Sequence, residues 1–244
     1  MYSVFKKLAK RLLPKKLLYK HETFLRSVFA FHYRGKIYQC NTCNHSLKSF
    51  VELDDHDLLC PFCGSRARTR RLYSILKENA LIKGDILHFS PSRSLYRILN
   101  ADKNITYHST DFEDEFIAQF QYDITNIPCD DDSFDLIICY HILEHIIEDT
   151  EAMKELYRVL KPGGLCLIQT PFKEGNDIYE DYSIISEEER LKAFGQEDHV
   201  RVYSVHGLKE RLEKAGFTIE IQSFSEEKNN REGFLSETVL EARK

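Results

Sequence analysis

The chain has 244 residues, enough for one substantial core and a small satellite module, and its 42% apolar and 30% charged residues are typical of a globular protein. Residues 1–40 hold ten Lys and Arg against one acid, a local charge of +9, so that subtraction from the net charge of −5 leaves −14 for residues 41–244. No apolar run reaches the roughly 20 residues that span a bilayer, and no secretory signal is recognisable. The odd cysteine number favours a reducing compartment, so a cytoplasmic location is expected.

Residues 1–36 are predicted to form a basic amphipathic helical arm that Pro14 divides into two helices. A basic amphipathic helix can lie on an anionic membrane, which would make residues 1–30 a peripheral membrane contact of a cytoplasmic protein. The alternative is that the apolar stripe packs on the protein's own body while the lysines face water. The apolar residues at helical spacing are Phe5, Leu8, Leu12, Leu17, Leu18, Phe24, Leu25, Val28 and Phe29.

Residues 37–66 contain two CxxC pairs and are predicted to form a zinc ribbon. Each pair folds into a knuckle that presents two thiolates, and two knuckles complete a tetrahedral shell around one ion. Because four thiolates leave no coordination position open, the zinc is expected to be structural. The alternative is four unrelated buried thiols. The predicted metal ligands are Cys40, Cys43, Cys60 and Cys63.

Residues 67–244 alternate apolar strands with amphipathic helices. This alternation predicts βαβ units, and therefore an α/β domain with a doubly wound, mostly parallel sheet. Two of the helical segments, TEAMKELYRVL and HGLKERLEKAGF, have apolar residues on one face and end at glycine-containing turns. The residues of these segments predicted to face the core are Ala152, Leu156, Val159, Leu160, Leu208 and Leu212.

The segment 122–171 strongly resembles class I S-adenosylmethionine-dependent methyltransferases. It contains a D-x-x-x-x-P…D-x-S-F-D run, an L-E-H after the fourth strand and an L-x-P-G-G turn before the fifth. With CxxC…CPFCGS upstream and FGQEDHVRVYS downstream, the whole chain resembles bacterial-type zinc-ribbon methyltransferases. The resemblance implies a Rossmann-like seven-stranded sheet over about residues 84–244 and S-adenosylmethionine as the cofactor.

The loop SPSRS, which follows the first strand of this domain, lacks the glycines that usually approach the methionine moiety of the cofactor in this class. Ser90 and Ser92 can allow close backbone approach and supply hydroxyl groups, while Pro91 stiffens the turn. By resemblance, Asp111 accepts the ribose hydroxyls and Asp123 the adenine amino group; the alternatives are a turn residue and a helix cap. The predicted cofactor-binding residues are Ser90, Pro91, Ser92, Asp111, Phe112, Asp123, Ile124, Cys139 and Tyr140.

Methyl transfer from a sulfonium is an in-line displacement that requires alignment and exclusion of water. A hydroxyl or protonated amine acceptor also requires a base, and histidine titrates in the needed range. His141 is the first candidate by position, followed by His145 and His199; the alternatives are a satisfied semi-buried histidine, packing under a helix and an ordinary surface loop. Arg201 and Tyr203 alternate with His199, so they share its face in an extended chain and are predicted to contact the acceptor.

Three functions fit the sequence. The first is a methyltransferase acting on a small-molecule or glycan-like acceptor. The second is an RNA methyltransferase that binds RNA through the zinc ribbon and the basic arm, although the acidic body and the lack of a basic and aromatic stripe oppose it. The third is a non-catalytic module that binds S-adenosylmethionine, which Asp111 and Asp123 oppose. Four arginines either grip a phosphate-bearing substrate or form a solvated helix face, and they are Arg66, Arg68, Arg70 and Arg71.

Overall fold

The computed structural model describes residues 15–113, 115–225 and 230–244. The first of the two predicted arm helices therefore lies outside the described residues. Across these three ranges no helix combines the length and the apolar content that a bilayer crossing requires.

The chain divides into two compact units. The first contains the described residues through Asn79, together with Ser92–Leu95 and Ser225–Ser236. This division differs from the three predicted segments, because residues 67–79 belong with the cysteine-bearing unit rather than with the sheet. The second unit contains Ala80–Pro91, Tyr96–Phe224 and Glu237–Lys244.

The first unit contains two helices and two small antiparallel sheets. Its apolar core consists of Ala30, Leu47, Phe50 and Phe62, packed around the cysteines. The strands are too short to stabilise the unit by pairing alone, so this small core and the cysteine cluster must contribute. The elements are α1 (Lys15–Ala30), a 3₁₀ turn (Phe31–Tyr33), β1 (Arg34–Gln39), β2 (Ser46–Leu47), β3 (Val51–Glu52), β4 (Leu58–Leu59) and α2 (Ala67–Glu78).

In the described part of the arm, two of the predicted apolar residues of α1 are exposed. Phe24 and Val28 are 66% and 61% exposed, and Phe31, one further turn along, is 64% exposed. The alternative in which the apolar stripe packs on the protein is therefore wrong for Phe24 and Val28, whereas Leu25 and Phe29 are half-buried.

The second unit is an α/β domain in which strands and helices alternate along the chain. Its elements are β5 (Gly84–Phe89), α3 (Arg93–Ala101), β6 (Ile105–Thr110), β7 (Phe134–Tyr140), a 3₁₀ turn (Leu143–His145), α4 (Asp149–Val159), β8 (Leu160–Gln169), β9 (Phe172–Lys173), β10 (Tyr179–Glu180), α5 (Glu187–Phe194), β11 (Arg201–Ser204), α6 (Val205–Lys214), β12 (Thr218–Phe224) and β13 (Glu237–Arg243).

The central sheet of this unit has the strand order β12-β13-β8-β7-β5-β6. The four strands β6, β5, β7 and β8 pair in parallel, whereas β13 and β12 add an antiparallel edge. The predicted Rossmann-like, mostly parallel sheet is therefore confirmed. All six helix residues predicted to face the core are fully buried.

The described sheet has six strands, so the expected number of seven is corrected. The segment beside β6 forms only an isolated parallel bridge, between Thr110 and Phe120. The Phe120 N–H donates to the Ser109 carbonyl at 3.0 Å, and the Asp111 N–H donates to the Phe120 carbonyl at 3.1 Å. The Gln119 side-chain oxygen also accepts from the Ser109 N–H at 3.3 Å. This pairing covers the end of the β6 edge but is too short to form a seventh strand.

Candidate functional site

Two residues that directly follow central parallel strands adopt the left-handed backbone conformation. Ser90 follows β5 with φ 43°, and His141 follows β7 with φ 56°. The Ser90 N–H donates to the Thr110 carbonyl at 2.7 Å, and the His141 N–H donates to the Gln169 carbonyl at 2.8 Å. Non-glycine residues in this conformation are strained, and they concentrate at functional sites. Both lie at the carboxyl edge of the sheet, where open α/β folds bind ligands.

Asp111 follows β6 at the same edge and is 6% exposed. One carboxylate oxygen accepts the Ser90 hydroxyl at 2.6 Å, and the other accepts the backbone N–H groups of Glu115 and Phe116 at 2.7 and 3.0 Å. These bonds hold a carboxylate beside the loop that lacks glycine. The structure thus brings together two predicted cofactor residues, whereas Phe112 next to them is exposed.

The remaining predicted cofactor residues of the loops have local contacts. Asp123 uses Oδ1 to accept both the N–H and the hydroxyl of Thr125, at 2.8 and 2.7 Å. This contact stabilises a turn, and no helix begins at this point of the described residues, so the alternative role as a helix cap is wrong. Ile124 and Pro91 are buried, and the Ser92 hydroxyl lies 3.4 Å from that of Ser94 in the first unit.

Buried polar atoms that have no partner within the described protein collect at the carboxyl ends of β7 and β8. They are the Tyr140 hydroxyl, Gln169 Oε1 and Thr170 Oγ1. Burial raises the pKa of Tyr140 well above its usual value, so its hydroxyl stays protonated and able to donate. Cys139 is fully buried in the core. Unpartnered buried groups are rare in folded proteins, so this edge suits a polar ligand with donors and acceptors.

The three predicted catalytic histidines surround a buried carboxylate that follows β7. Glu144 is 1% exposed, and its Oε1 lies 3.3 Å from His141 Nδ1. The rings of His145 and His199 meet edge to face with centroids 4.7 Å apart. His145 Nδ1 also lies 3.1 Å from a carboxylate oxygen of Asp198. The structure therefore brings all three histidines into one cluster.

The surroundings of this cluster shift two pKa values downward. Burial would raise the pKa of Glu144, but the hydrogen-bonding and charge effects of the adjacent His141 lower it, and the net pKa lies below the ordinary value. Burial lowers the pKa of His199, and the nearby His145 lowers it further. At neutral pH the cluster therefore holds an ionised carboxylate beside a neutral His199.

Arg201 and Tyr203 share the face of His199, as the alternation predicts, but that face points into the protein and both residues are fully buried. Arg201 pairs with Glu180 at 2.9 Å and donates to the Ile147 carbonyl at 2.8 Å. The Tyr203 hydroxyl donates to Asp149. The expectation that the two side chains contact an acceptor is therefore corrected, since each is enclosed by its own protein partners.

The four predicted metal ligands form one cluster in the first unit, with all sulfur atoms within 4.8 Å of one another. Sγ atoms of Cys40 and Cys63 are 3.7 Å apart, and those of Cys43 and Cys60 are 3.8 Å apart. A zinc ion held at about 2.3 Å by four tetrahedral thiolates requires sulfur separations of about 3.8 Å. The Ser65 hydroxyl adds an outer contact, 3.3 Å from Cys40 Sγ.

The two CxxC knuckles share one backbone design. The N–H groups of Asn44 and Gly64 donate to the carbonyls of Cys40 and Cys60 at 2.7 and 2.9 Å. Asn44 and Gly64 also have positive φ, 59° and 78°, which Asn and Gly tolerate best. His45 stacks on a phenylalanine ring instead of joining the thiols.

The arginines after the second knuckle are not a solvated face. Arg70 and Arg71 are buried, at 0% and 4% exposure, and Arg71 lies over the Phe234 ring, 4.0 Å from its centroid. Arg66 pairs with Asp55 and with a second acid, Asp57, at 3.0 Å. Neither predicted alternative describes these three residues. The carbonyls that accept from Arg70 belong to Leu58, Ser65, Glu232 and Gly233.

Sequence reasoning missed three residues that the structure places at the carboxyl edge: Glu144, Gln169 and Thr170. Glu144 stands inside the L-E-H motif, between two histidines already singled out, so its spacing was a usable signal. Gln169 and Thr170 are the polar residues at the end of the apolar run GLCLIQT, which was predicted to be a strand. Their position at the end of that strand was the signal that could have identified them.

Comparisons with known proteins identify the family of the chain. Residues 59–222 match a family model described as a methyltransferase domain. A probable S-adenosylmethionine-dependent methyltransferase of Mycolicibacterium smegmatis is 31% identical over 101 residues, covering 40% of this chain and 34% of that protein. A demethylmenaquinone methyltransferase of Clavibacter sepedonicus is 37% identical over 73 residues, 27% of this chain and 30% of that protein. The chain thus spans about a third of the length of these relatives.

Solved structures show the same fold at low sequence identity. A putative sarcosine dimethylglycine methyltransferase from Galdieria sulphuraria has a TM-score of 0.50 and 17% identity, covering 71% of this chain and 83% of that one. The [4+2]-cyclase SpnF has a TM-score of 0.52 and 16% identity, covering 94% of both chains. Proteins with this architecture are named for different activities, so the chemistry has to be argued from the residues.

Proposed function

The chain belongs to the methyltransferase domain family, and from this premise we propose that it transfers a methyl group from S-adenosylmethionine to a small-molecule or glycan-like acceptor. The observation that carries the proposal is the group of unpartnered buried polar atoms at the ends of β7 and β8. These atoms border a carboxyl edge at which two residues are strained. A ligand that bonds to them would recover the free energy that unsatisfied polar groups cost.

The residues at this edge fit the cofactor. The Asp111 carboxylate can accept ribose hydroxyls, because the Ser90 hydroxyl that now occupies Oδ1 can rotate away. Asp123 retains Oδ2 for an adenine amino group, since its turn uses Oδ1. The hydroxyl groups of Tyr140 and Thr170 can donate hydrogen bonds to the amino-acid end of S-adenosylmethionine. The cofactor, when bound, supplies an electrophilic methyl group on a sulfonium.

His141 is the proposed general base. Its side chain is 20% exposed, whereas that of Glu144 behind it is 1% exposed. A buried carboxylate 3.3 Å from Nδ1 orients the ring and stabilises the imidazolium that forms when Nε2 takes a proton from the acceptor. The strained backbone of His141 fixes the ring at the carboxyl edge.

An RNA acceptor is the second candidate, and the contacts of the arginines weigh against it. Arg70 and Arg71 are buried and Arg66 is paired with acids, so these three guanidinium groups are not displayed for phosphates. Residues 41–244 carry −14, which repels a polyanion. A salt-dependent RNA gel shift would favour this candidate.

We also propose that the four thiols hold a structural zinc ion. The sulfur separations fit tetrahedral thiolate coordination, and the knuckle N–H groups of Asn44 and Gly64 stabilise the two loops. Four protein ligands complete the shell, so this zinc would support the fold of the first unit and leave no position for substrate.

The first test of the proposed function is cofactor binding by calorimetry. Asp111→Asn should raise the Kd for S-adenosylmethionine at least ~100-fold, because hydrogen bonds from two ribose hydroxyls to a charged acceptor are lost. Asp177→Asn, which changes an exposed carboxylate, is the matched control and should bind normally. Equal Kd values for Asp111→Asn and the wild type would refute the assignment.

The acceptor class is tested by incubating the protein with methyl-labelled cofactor and fractionated cell extract. Label in small molecules or glycans supports the proposal, label in RNA supports the second candidate, and cofactor binding without any transfer supports the non-catalytic module. Asp111→Asn serves as the background in each fraction.

We propose that an anionic membrane surface is a partner of the protein and that the arm contacts it peripherally. Phe24, Val28 and Phe31 are exposed on the helix and its 3₁₀ extension, and residues 1–40 carry +9. Exposed apolar side chains beside basic residues suit an anionic lipid surface.

Vesicle co-sedimentation measures this contact. The double variant Phe24→Gln/Val28→Gln should weaken binding to phosphatidylserine-containing vesicles at least ~10-fold, because two apolar side chains no longer insert. Ile185→Gln is the matched control, since Ile185 is 74% exposed outside the arm. Wild-type protein that stays in the supernatant with such vesicles would refute the contact.

A further inference from the structure

The turn after β7 and the segment before β11 bring three metal-ligating groups together, apart from the four cysteines. One ligand atom each from Glu144, His145 and His199 lies within 4.8 Å of the others. The Val200 N–H donates to the Glu144 carbonyl at 2.9 Å and ties the two segments. We propose that this Glu-His-His cluster binds a divalent transition-metal ion.

Two of the three groups are buried and use little of their bonding capacity. Glu144 is 1% exposed and His199 is 3% exposed. Within the described residues, the Glu144 carboxylate has an ion-pair contact from Oε1 to His141 Nδ1 at 3.3 Å, while Glu144 Oε2 and His199 Nε2 have no hydrogen-bond partner. A buried carboxylate with one long contact is costly, and a bound cation reduces that cost.

The outer contacts of both histidines present Nε2 to the ion. His145 Nδ1 lies 3.1 Å from Asp198 Oδ2, so that nitrogen is engaged and Nε2 remains. The backbone of Phe194 forms a hydrogen bond with the His199 ring, while Nε2 has no partner within the described residues. Carboxylate and backbone partners of this kind fix the ring orientation and tautomer of metal-bound histidines.

The donor set indicates the class of ion. Two imidazole nitrogens and one carboxylate oxygen suit zinc, iron(II), cobalt or manganese, whereas magnesium and calcium prefer oxygen ligands alone. Ligand atoms at about 2.0–2.2 Å from one ion are about 3–4 Å apart, so atoms that now lie within 4.8 Å of one another need to approach by at most about 1–2 Å. Three protein ligands leave coordination positions open, in contrast to the four thiolates.

One consequence rests on the proposed function. The open coordination positions of the metal ion would bind the oxygen or nitrogen atom of the methyl acceptor. An acceptor hydroxyl bound in this way would be more acidic, so that His141 could deprotonate it more readily. His145 and His199 would then be ligands rather than alternative bases. Metal binding itself requires neither the cofactor nor an acceptor, so the failure of either proposal can be recognised separately.

The test is titration with Co²⁺, in the absence of cofactor, of protein that carries a single equivalent of zinc in the thiolate site. One equivalent should bind with weak visible absorption typical of nitrogen and oxygen ligands and without a thiolate charge-transfer band. Glu144→Gln and His199→Gln should each weaken binding at least ~100-fold, and the positioning variant Asp198→Asn about 10-fold. His206→Gln, which changes a 55% exposed histidine, should leave binding unchanged.

Thermal unfolding with and without Co²⁺ distinguishes metal binding by these residues from a purely structural role. With chelator present, Glu144→Gln should be about as stable as the wild type, because it removes a buried charge that has one long ion-pair contact. With Co²⁺ present, the wild type and His206→Gln should gain stability, whereas Glu144→Gln and His199→Gln should not. Absence of Co²⁺ binding outside the thiolate site, or equal binding by Glu144→Gln and His199→Gln, would overturn the proposal.

Discussion

At the scale of single residues, Ser90 shows how a loop without glycine can serve a ligand site. Its positive φ of 43° is the conformation that glycine adopts at little cost and that serine adopts only with strain. The serine supplies what glycine cannot, a hydroxyl that donates to Asp111 at 2.6 Å. The backbone strain at Ser90 therefore accompanies a hydrogen bond that a glycine at this position would not make.

His88 carries a pH-dependent contribution to stability. It is buried in β5, where burial lowers its pKa to about 3, and its Nδ1 lies 3.0 Å from the Tyr107 hydroxyl. The folded pKa lies below the unfolded value of about 6.5, so the contribution is complete above pH 6.5 and is lost as the pH falls towards 3. From pH 7 to pH 5 the loss should be about 2 kcal/mol.

Urea unfolding at pH 7 and pH 5 measures this loss. His88→Gln should lose about 2 kcal/mol less than the wild type between the two pH values, because its unfolded chain gains no proton at that position. His206→Gln, at an exposed site, should follow the wild type. Parallel pH dependence of His88→Gln and the wild type would contradict the burial argument.

At this scale, the sequence identifies residue types better than contacts. The four cysteines are predictable, because CxxC spacing specifies both ligand type and geometry. The contacts of Arg201 and Tyr203 are not predictable in this way. Alternation places the two side chains on one face, but it does not reveal whether that face meets water or the carbonyls of Leu143 and Ile146. Burial of an arginine depends on partners that are distant in the chain.

At the scale of elements, an ion-pair network connects α4, β10, β11 and α6. Asp149 pairs with Arg211 at 2.7 Å and with Arg201 at 3.6 Å. Glu180 pairs with the same two arginines, at 2.8 and 2.9 Å. Because Arg201 also binds carbonyls of residues 143, 146 and 147, the network fixes the turn that carries Glu144.

Removing one acid from this network should destabilise the protein in a pH-dependent way. Hydrogen bonds from Arg211 and Arg201 lower the pKa of Glu180 to about 2. Glu180→Gln should therefore lower the free energy of unfolding by about 1–3 kcal/mol at pH 7. The folded pKa is depressed, so the difference from the wild type should persist above about pH 4.5 and shrink as the pH falls towards 2.

Urea unfolding between pH 7 and pH 3.5 measures this difference. Glu188→Gln is the matched control, because it breaks a pair in which both side chains are mostly exposed, and it should cost less than about 0.5 kcal/mol. A Glu180→Gln effect as small as that of the control, or one that does not change with pH, would show that the pairs contribute little.

The strands and helices of the second unit follow from periodicity, since βαβ alternation and buried helix faces are visible in the apolar pattern. The seventh strand that the resemblance implies is different. Its place beside β6 is taken by a bridge, a few backbone hydrogen bonds and the side chain of Gln119, and so short a pairing has no periodic signature. The strand count was therefore one too high.

At the scale of the whole molecule, sequence composition separates an arm, a cysteine module and a sheet domain, but it does not reveal which later residues complete the cysteine module. Ser225–Ser236 lies far along the chain and belongs to the first unit. Arg70 explains why, since it donates to the carbonyls of Glu232 and Gly233. A buried guanidinium that needs carbonyl acceptors recruits a distant loop, and local patterns cannot show this.

Loss of the four-thiol zinc should loosen both knuckles of the first unit. Cys60→Ser should remove one equivalent of zinc relative to the wild type and increase amide exchange of Asn44 and Gly64, whose N–H groups depend on the knuckle geometry. Amides in β7 and β8 should keep their protection. The matched control is Cys129→Ser, a half-buried thiol outside the cluster, which should retain the zinc. Unchanged zinc content and unchanged exchange in Cys60→Ser would mean that the four cysteines are only buried thiols.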